Sequence, residues 1–471
     1  MPKVTIEVPK ELAEAVSKVA AELEAGLAAI GSGKPLDFAE WERRAAASAA
    51  EVERAMVRRL LRGLDVDAPH VRVDGRLHAR VGRYPATYRT QAGPVEVERS
   101  LYREVGVRNG PTVDAVSVRA GCVQKGWLPE TAKAMAYLVG CGTSREAEGT
   151  SCALHRLPYS RSSFEEVAHA VGTLYGAQRV HVEAALVQAL EVPRGAHSVS
   201  LSLDRVALPM EEPKARPVGR PRTDAPERPV DVVFRMAYAA CLTFHDEQGQ
   251  ALSSLRSGRM PEGDVEGLCA RLALHTQAAL LQQPSLHVAV LTDGAPEMHQ
   301  RLDEALAKHA PAATAPVRLV DFWHLMEKLG AASLLLAGDH AWALRERWKM
   351  SLLNKPGAIW RIASELHESG KHDVVVGDGR PVHEALTYLE NHGERMHYAE
   401  ARKAGLPIGS GHVEATCKSL IGVRMKRPGS RWKHESGQHV IDLRSLVLSD
   451  CWDTAMDLTL APLRAQVRRA A

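Results

Sequence analysis

The chain has 471 residues, 45% of them hydrophobic and 25% charged, with a formal net charge of +3; that is chain enough for two to four domains of ordinary globular composition. It contains no apolar run of about twenty residues, which excludes a membrane span, and its start, Met1-Pro2-Lys3-Val4, lacks the blocks of a signal peptide. The seven scattered cysteines are odd in number and form no Cys-x-x-Cys pair, so reduced thiols in a cytoplasmic protein are expected rather than a disulfide framework or a structural zinc site.

In chain order, a short strand is predicted at Val4 to Val8. Ala/Glu/Arg-rich stretches with helical spacing follow from Glu11 to Ile30 and from Phe38 to Leu64. Residues 1–70 read as a helical arm. Arg72 to Val107 reads as strands, with a hairpin turning at Ala92-Gly93-Pro94. Helices dominate from Ser117 to Leu190. One runs from Ser144 to Leu157, Pro158-Tyr159 breaks it, and Ser160 caps a second from Arg161 towards Tyr175. This is the outline of a helix-turn-helix; an ordinary helical hairpin is the plain alternative. Residues 71–194 are thus expected to be a hairpin plus a helical DNA-binding region.

After Pro193 the pattern changes. A strand from Ser198 to Leu203 ends in Asp204, and a Pro/Arg-rich loop spans Glu211 to Pro229. Val230 to Phe244 and Ala251 to Met260 are two further strands. Gly263 to Leu281 is helical, Leu286 to Leu291 is a strand stopping at Thr292-Asp293-Gly294, Pro296 to His309 is helical, and Val317 to Val320 is a strand ending at Asp321. Three strands, then helix, strand, helix, strand is the element order of a ribonuclease-H-like fold, whose strand ends should carry the site. The expected class is therefore α/β: a ribonuclease-H-like mixed sheet over residues 195–324 and 401–471, interrupted by an all-α insertion over residues 325–400 and preceded by the mostly helical N-terminal region.

Asp204 and Asp293 each follow an apolar strand, and Glu414 sits on a helix entered through Gly409-Ser410-Gly411, where glycine lets backbone approach a sheet or a phosphate. If these three acids converge, they repel one another unless cations intervene. Oxygen ligands without a thiolate favour Mg²⁺ or Mn²⁺, and two such ions suit phosphodiester chemistry. Each acid taken singly is equally a turn residue or helix cap. Asp321 and His324 lie one helical turn apart and suit support of a metal site or a phosphate; a capped helix with a packed histidine is the alternative.

Between Ala401 and His434 the basic residues Arg402, Lys403, Lys418, Arg424, Lys426, Arg427, Arg431 and Lys433 face a single acid, Glu414. Lys418, Arg424, Lys426, Arg427 and Arg431 are expected to hold backbone phosphates, with Trp432 stacking on a base. Arg220 and Arg222, within Val218-Gly219-Arg220-Pro221-Arg222, form either a minor-groove hook or a loop with incidental arginines. Trp323 and Trp360 read as core residues. His434 and His439 are five apart and do not share a helical face for zinc, and no phosphate-binding Gly-x-x-x-x-Gly-Lys loop implies a nucleotide cofactor.

Asp204, Thr292-Asp293-Gly294-Ala295-Pro296, Asp321-x-x-His324 and Leu406-Pro407-Ile408-Gly409-Ser410-Gly411-His412-Val413-Glu414, followed by Arg424-Met425-Lys426-Arg427 and Arg431-Trp432, resemble the DDE transposases of bacterial ISKra-type insertion sequences, relatives of the Mutator-like enzymes. The resemblance spans about residues 195–450. It implies Asp204, Asp293 and Glu414 as a catalytic, metal-holding triad, with two Mg²⁺ or Mn²⁺ ions per site. It also implies double-stranded DNA, at transposon ends and target, as the substrate of a homo-oligomer. A DNA-binding protein that keeps the fold without catalysis is the alternative. A tyrosine recombinase is excluded, because no tyrosine follows Tyr398.

Overall fold

The computed structural model describes residues 7–32, 35, 37–213 and 230–470. The fold is mixed α/β and divides into two units, residues 1–182 with 452–471, and residues 183–451. The grouping of residues 452–471 with the catalytic core is thereby corrected: the C-terminal strand completes the first unit's sheet.

The first unit opens with α1 (Lys10–Gly31) and α2 (Phe38–Leu64), close to their expected bounds. Asp37 starts α2 by accepting the N–H groups of Ala39 and Glu40, which have no partner inside the helix. Of the strand expected at Val4 to Val8, residues 4–6 lie outside the described residues, and Glu7 and Val8 belong to no strand. Next come β1 (His70–Val73), β2 (Arg76–Thr90), β3 (Gly93–Glu104) and β4 (Thr112–Asp114). With the C-terminal strand β10 (Val467–Arg469) they form an antiparallel sheet in the order β10-β1-β2-β3-β4. The hairpin turns one residue or two earlier than expected. Thr90 pairs Gly93 and Arg89 pairs Pro94, so Gln91 and Ala92 make the turn and Pro94 is already in the strand.

The helices α3 (Ala115–Ala120), α4 (Pro129–Cys141), α5 (Ser144–Ala153) and α6 (Arg161–Gln188) follow. The expected helix-turn-helix is corrected here. Residues 154–160 separate α5 from α6, longer than the three or four residues of such a turn. They are tied to the hairpin tip instead: Leu157 N–H donates to the Gln91 carbonyl at 2.8 Å and the Tyr159 hydroxyl to that of Thr90 at 2.7 Å.

The second unit contains β5 (Ser198–Pro213), β6 (Val230–His245), β7 (Ala251–Arg259), α7 (Val265–Gln282), β8 (His287–Thr292), α8 (Pro296–His309) and β9 (Val317–Val320). Their sheet runs β7-β6-β5-β8-β9, antiparallel through the first three and parallel from β5 to β9. The strand does not end at Asp204. β6 pairs with β5 along its whole length, Asp204 opposite Ala239 and Pro213 opposite Val230, so the backbone beyond Asp204 is satisfied by the ladder. Arg220 and Arg222 lie outside the described residues.

Alternation sorts this sheet's two faces. Val199, Leu201 and Leu203 of β5, with Ala240, Leu242 and Phe244 of β6, pack under Leu268 and Leu272 of α7 and Leu302 and Leu306 of α8. The opposite parity, Leu208 and Met210 with Ala237, Ala239 and Cys241, packs against residues that follow Ser410.

Between these come α9 (Phe322–Ala337), α10 (Ala341–Asn354), α11 (Ala358–Glu368), α12 (Pro381–His392) and α13 (Tyr398–Lys403). They surround their own core, in which Phe322, Leu325, Leu329, Trp348, Ile362 and Leu386 are buried. Trp323 and Trp360, expected in the core, are instead 51% and 55% exposed. The chain then returns through α14 (Gly411–Thr416), a π-helical turn (Cys417–Gly422), α15 (Val423–Met425) and α16 (His434–Leu448); α17 (Trp452–Leu460) belongs to the first unit. No helix among the described residues is long and apolar enough to cross a membrane.

Candidate metal centre

The parallel strands bring the acids into one row. Ser198 pairs His287 and Leu201 pairs Val290, an offset of 89 residues (287 − 198), and Asp204 and Asp293 differ by the same 89. Ala289 pairs Val317 and Thr292 pairs Val320, an offset of 28, which carries Asp293 on to Asp321. The Asp321 N–H donates to the Thr292 carbonyl at 2.8 Å, continuing that ladder. Strands in register lie about 4.8 Å apart, so the register, carried three residues past the last β5–β8 pair, lines up Asp204 within β5 with Asp293 and Asp321 just beyond the carboxyl ends of β8 and β9. Asp204 has the parity of Leu208 and Met210, so it faces the side on which α14 packs.

Asp204 is part-buried. Its Oδ1 accepts the Arg205 N–H at 2.6 Å and its Oδ2 the Cys417 thiol at 3.3 Å. Burial pushes its pKa up, these two donors pull against that, and the charge of Asp293 adds to the rise. Arg205 is engaged elsewhere, 3.3 Å from Glu297. Burial likewise pushes the Cys417 thiol up, which keeps it a protonated donor. Cys417 was not among the expected site residues, although its position three after Glu414, one helical turn on, pointed to it.

Asp293 follows β8 directly, and its Oδ1 accepts the Ala295 N–H at 3.0 Å. Its carbonyl accepts the Tyr388 hydroxyl at 2.9 Å. Gly294 has φ +104, and a β-carbon there would stand 3.2 Å from both the Tyr388 hydroxyl and His392 Nε2, so only glycine fits. Tyr388 and His392 carried no signal in the sequence, because they lie far along the chain on α12.

Asp321 is fully buried and starts α9 as its N-cap. Its Oδ1 accepts the N–H groups of Trp323 and His324 at 2.5 and 2.8 Å, and its Oδ2 accepts that of Ser410. Burial alone would raise its pKa; His324, Ser410 and the capping N–H groups outweigh that and hold it low. The same residue therefore fixes β9, α9 and the loop into α14. In that loop a β-carbon on Gly409 would stand 3.0 Å from the Trp323 ring, the close approach expected there, whereas Gly411 faces open space.

His324 joins the row to Glu414. Its Nδ1 is 3.5 Å from Asp321 Oδ1 and 3.8 Å from Glu414 Oε1, and it makes no hydrogen bond. The Asp321 carboxylate raises the imidazole to about 9, with Glu414 adding to the effect. Glu414, 53% exposed, is pushed up by partial burial and by the charges of Asp321 and Asp204, against the pull of His324. Asp204 thus feels the charge of Asp293, and Glu414 that of Asp204 and Asp321, and among the described residues no lysine or arginine is ion-paired with any of the four.

Of the expected phosphate ligands, Lys418 and Lys426 are exposed on the segment after Glu414. Arg431 is 3.4 Å from Glu211, Arg427 Nε donates to the Val423 carbonyl at 3.1 Å, and the Arg424 guanidinium covers Trp432, 5.1 Å from its ring centre. Trp432 exchanges backbone hydrogen bonds with β5 at Pro209 and Glu211, and its indole N–H donates to the Met425 carbonyl at 2.9 Å. In this structure Trp432 clamps the basic segment to the sheet.

No model of a known protein family matches the sequence. No curated protein compared with it matches either.

Proposed function

We propose that the second unit is a metal-dependent nuclease and strand-transfer core of ribonuclease-H-like build. In support, β5 serves as the first strand of a 3-2-1-4-5 sheet, with the first three strands antiparallel and the last two parallel to the first. Within that class we take the chain to be a DNA transposase of the ISKra-type insertion-sequence group, from the motif resemblance around Asp204, Asp293 and Glu414.

The observation that carries this reading is the row of Asp204 and Asp293 in shared register, with Glu414 brought to it on a helix. The donor set fits hard divalent cations. It consists of carboxylates, of which Asp204 and Glu414 are made unfavourable by burial and by neighbouring acids, with no lysine or arginine paired to them among the described residues, beside the His324 imidazole, whose Nδ1 is buried without a hydrogen bond. Asp204, Asp293 and Glu414 would hold Mg²⁺ or Mn²⁺, and two such ions would supply Lewis acidity to a phosphodiester. The chain's own residues do the rest. Tyr388 steadies the Asp293 loop, Asp321 locks α9 to the Ser410 loop, and Cys417 orients one oxygen of Asp204. Lys418 and Lys426 offer phosphate contacts beyond the acids.

The test incubates the purified protein with its element ends and Mg²⁺ or Mn²⁺, comparing wild type with Glu414→Ala. Nicking by wild type alone is the expected result. Equal nicking by both overturns the assignment.

A further inference from the structure

We propose that His324 is itself a metal ligand, binding through Nδ1 an ion shared with Glu414 and Asp321, so that the centre is a mixed nitrogen–oxygen site selective for Mn²⁺ over Mg²⁺. The inference rests on the metal-dependent reading above and assigns that site a ligand outside the three-acid set.

Three observations carry it. One donor atom each from Asp321, His324 and Glu414 lies within 4.8 Å of the others, so one cation seated among them is within reach of all three. The inward-facing Nδ1 is buried and makes no hydrogen bond, although two carboxylate oxygens stand 3.5 and 3.8 Å from it. Two carboxylate oxygens converge on that nitrogen at ion-pair rather than hydrogen-bond distance, and a divalent cation seated among them would take the Nδ1 lone pair in place of its proton. Third, the imidazole is built into a rigid frame. Asp321 caps α9 with the very N–H of His324 and also grips the Ser410 N–H before α14, so one buried residue sets both the histidine and the glutamate. Glu414 is the exposed member and is the side chain able to close on the ion.

The metal preference follows from the donor atoms. Mg²⁺ demands near-ideal octahedral oxygen geometry and retains its waters, whereas Mn²⁺, an oxygen-preferring ion that is also a first-row transition metal, tolerates one imidazole among carboxylates better than Mg²⁺ does. Asp204, in electrostatic reach of both Glu414 and His324, places this ion next to the aspartate row.

The test is pulsed electron paramagnetic resonance on full-length, metal-free protein titrated with Mn²⁺ and no DNA, beside calorimetric titrations with Mn²⁺ and Mg²⁺. The expected result is ¹⁴N modulation from a directly bound imidazole in wild type and its loss in His324→Ala. Mn²⁺ binding should weaken roughly 10-fold or more in that variant, with a much smaller change for Mg²⁺. Thermal melting of His324→Ala establishes that it folds, and Glu414→Gln, which leaves the imidazole in place, should weaken Mn²⁺ while keeping residual nitrogen coupling. Bound Mn²⁺ without nitrogen coupling in wild type, coupling that survives His324→Ala, or failure of Mn²⁺ to bind each overturns the proposal. DNA nicking with an all-oxygen Mn²⁺ site would sink this inference alone; nitrogen-bound Mn²⁺ in a protein that cuts no DNA would sink the transposase reading alone.

Discussion

The Tyr388 hydroxyl donates a hydrogen bond to the backbone carbonyl of Asp293 at 2.9 Å, across 95 residues of sequence. The helical insertion therefore reaches back to brace the loop that presents the middle acid of the row. Tyr388→Phe removes that bond and nothing else of size. A net loss of about 0.5–1.5 kcal/mol in stability is expected, together with a roughly 10–100-fold fall in divalent-metal affinity or DNA nicking, as for other residues that orient ligands. Denaturant titration and calorimetry read the two effects separately; metal affinity equal to wild type would show that the brace is structural only.

On the proposed metal-dependent reading, Asp204 trades stability for function. Its carboxyl is pushed up by burial and by Asp293, so at neutral pH its ionised form strains the metal-free fold. Asp204→Asn keeps an acceptor for the Arg205 N–H and turns its amide NH2, a donor, towards the Cys417 sulfur. It should raise the Tm of metal-free protein by a few degrees, ~2–4 °C, and abolish nicking. A lowered Tm would mean that the charge is already compensated.

Acid should destabilise the second unit through three buried histidines. Burial holds His245, His275 and His299 at about 4, against 6.5 for an ordinary imidazole. As pH falls below 6.5 the unfolded chain takes up protons that the native state refuses, so these three histidines lower stability between pH 6.5 and 4 and contribute no slope above 6.5. A fully expressed shift of this size is worth about 3 kcal/mol per histidine. Neither ring nitrogen of His299 has a hydrogen-bond partner, so His299→Leu should fold and lose its share of the slope. Urea midpoints at pH 7, 5.5 and 4.5 measure this, and an unchanged slope refutes it.

The fold and the site differ in how much the sequence disclosed. Bounds of α8 and β9 were legible because Pro296 starts the helix and the strand is a short apolar run stopped by Asp321. The length of β5 was not. Pro209 reads as a breaker, yet it lies beyond the last residue that pairs with β8, Leu201, and its carbonyl is taken by the Trp432 N–H. Asp204 and Asp293 stood out as acids after apolar runs; that their spacing of 89 residues equals the β5–β8 register was hidden until the pairing of those strands was known. Trp348 and Trp342 sit six residues apart on one helix, one buried and the other 74% exposed, and periodicity on so mixed a helix did not separate them.

Lys418 and Lys426 supply a test of nucleic-acid binding that is independent of the metal. Replacing either by alanine should weaken DNA binding equally for all sequences and reduce the slope of log K against log salt by about 0.9 per residue. Fluorescence anisotropy at several salt concentrations reads the slope; an unaltered slope in both variants would remove this segment from the DNA path.

The strand Val467–Arg469 hydrogen-bonds along β1, with Val71 opposite Arg469 and Val73 opposite Val467. During synthesis the edge of β1 stays open until Val467–Arg469 leave the ribosome, while the whole 183–451 unit is made in the meantime. An open edge of that kind is a template for strand exchange. Nascent chains stalled short of residue 467 should therefore be more prone to self-association than chains that carry Val467–Arg469, and Arg468→Pro, which removes a ladder N–H, should impair assembly of the first unit more than that of the second.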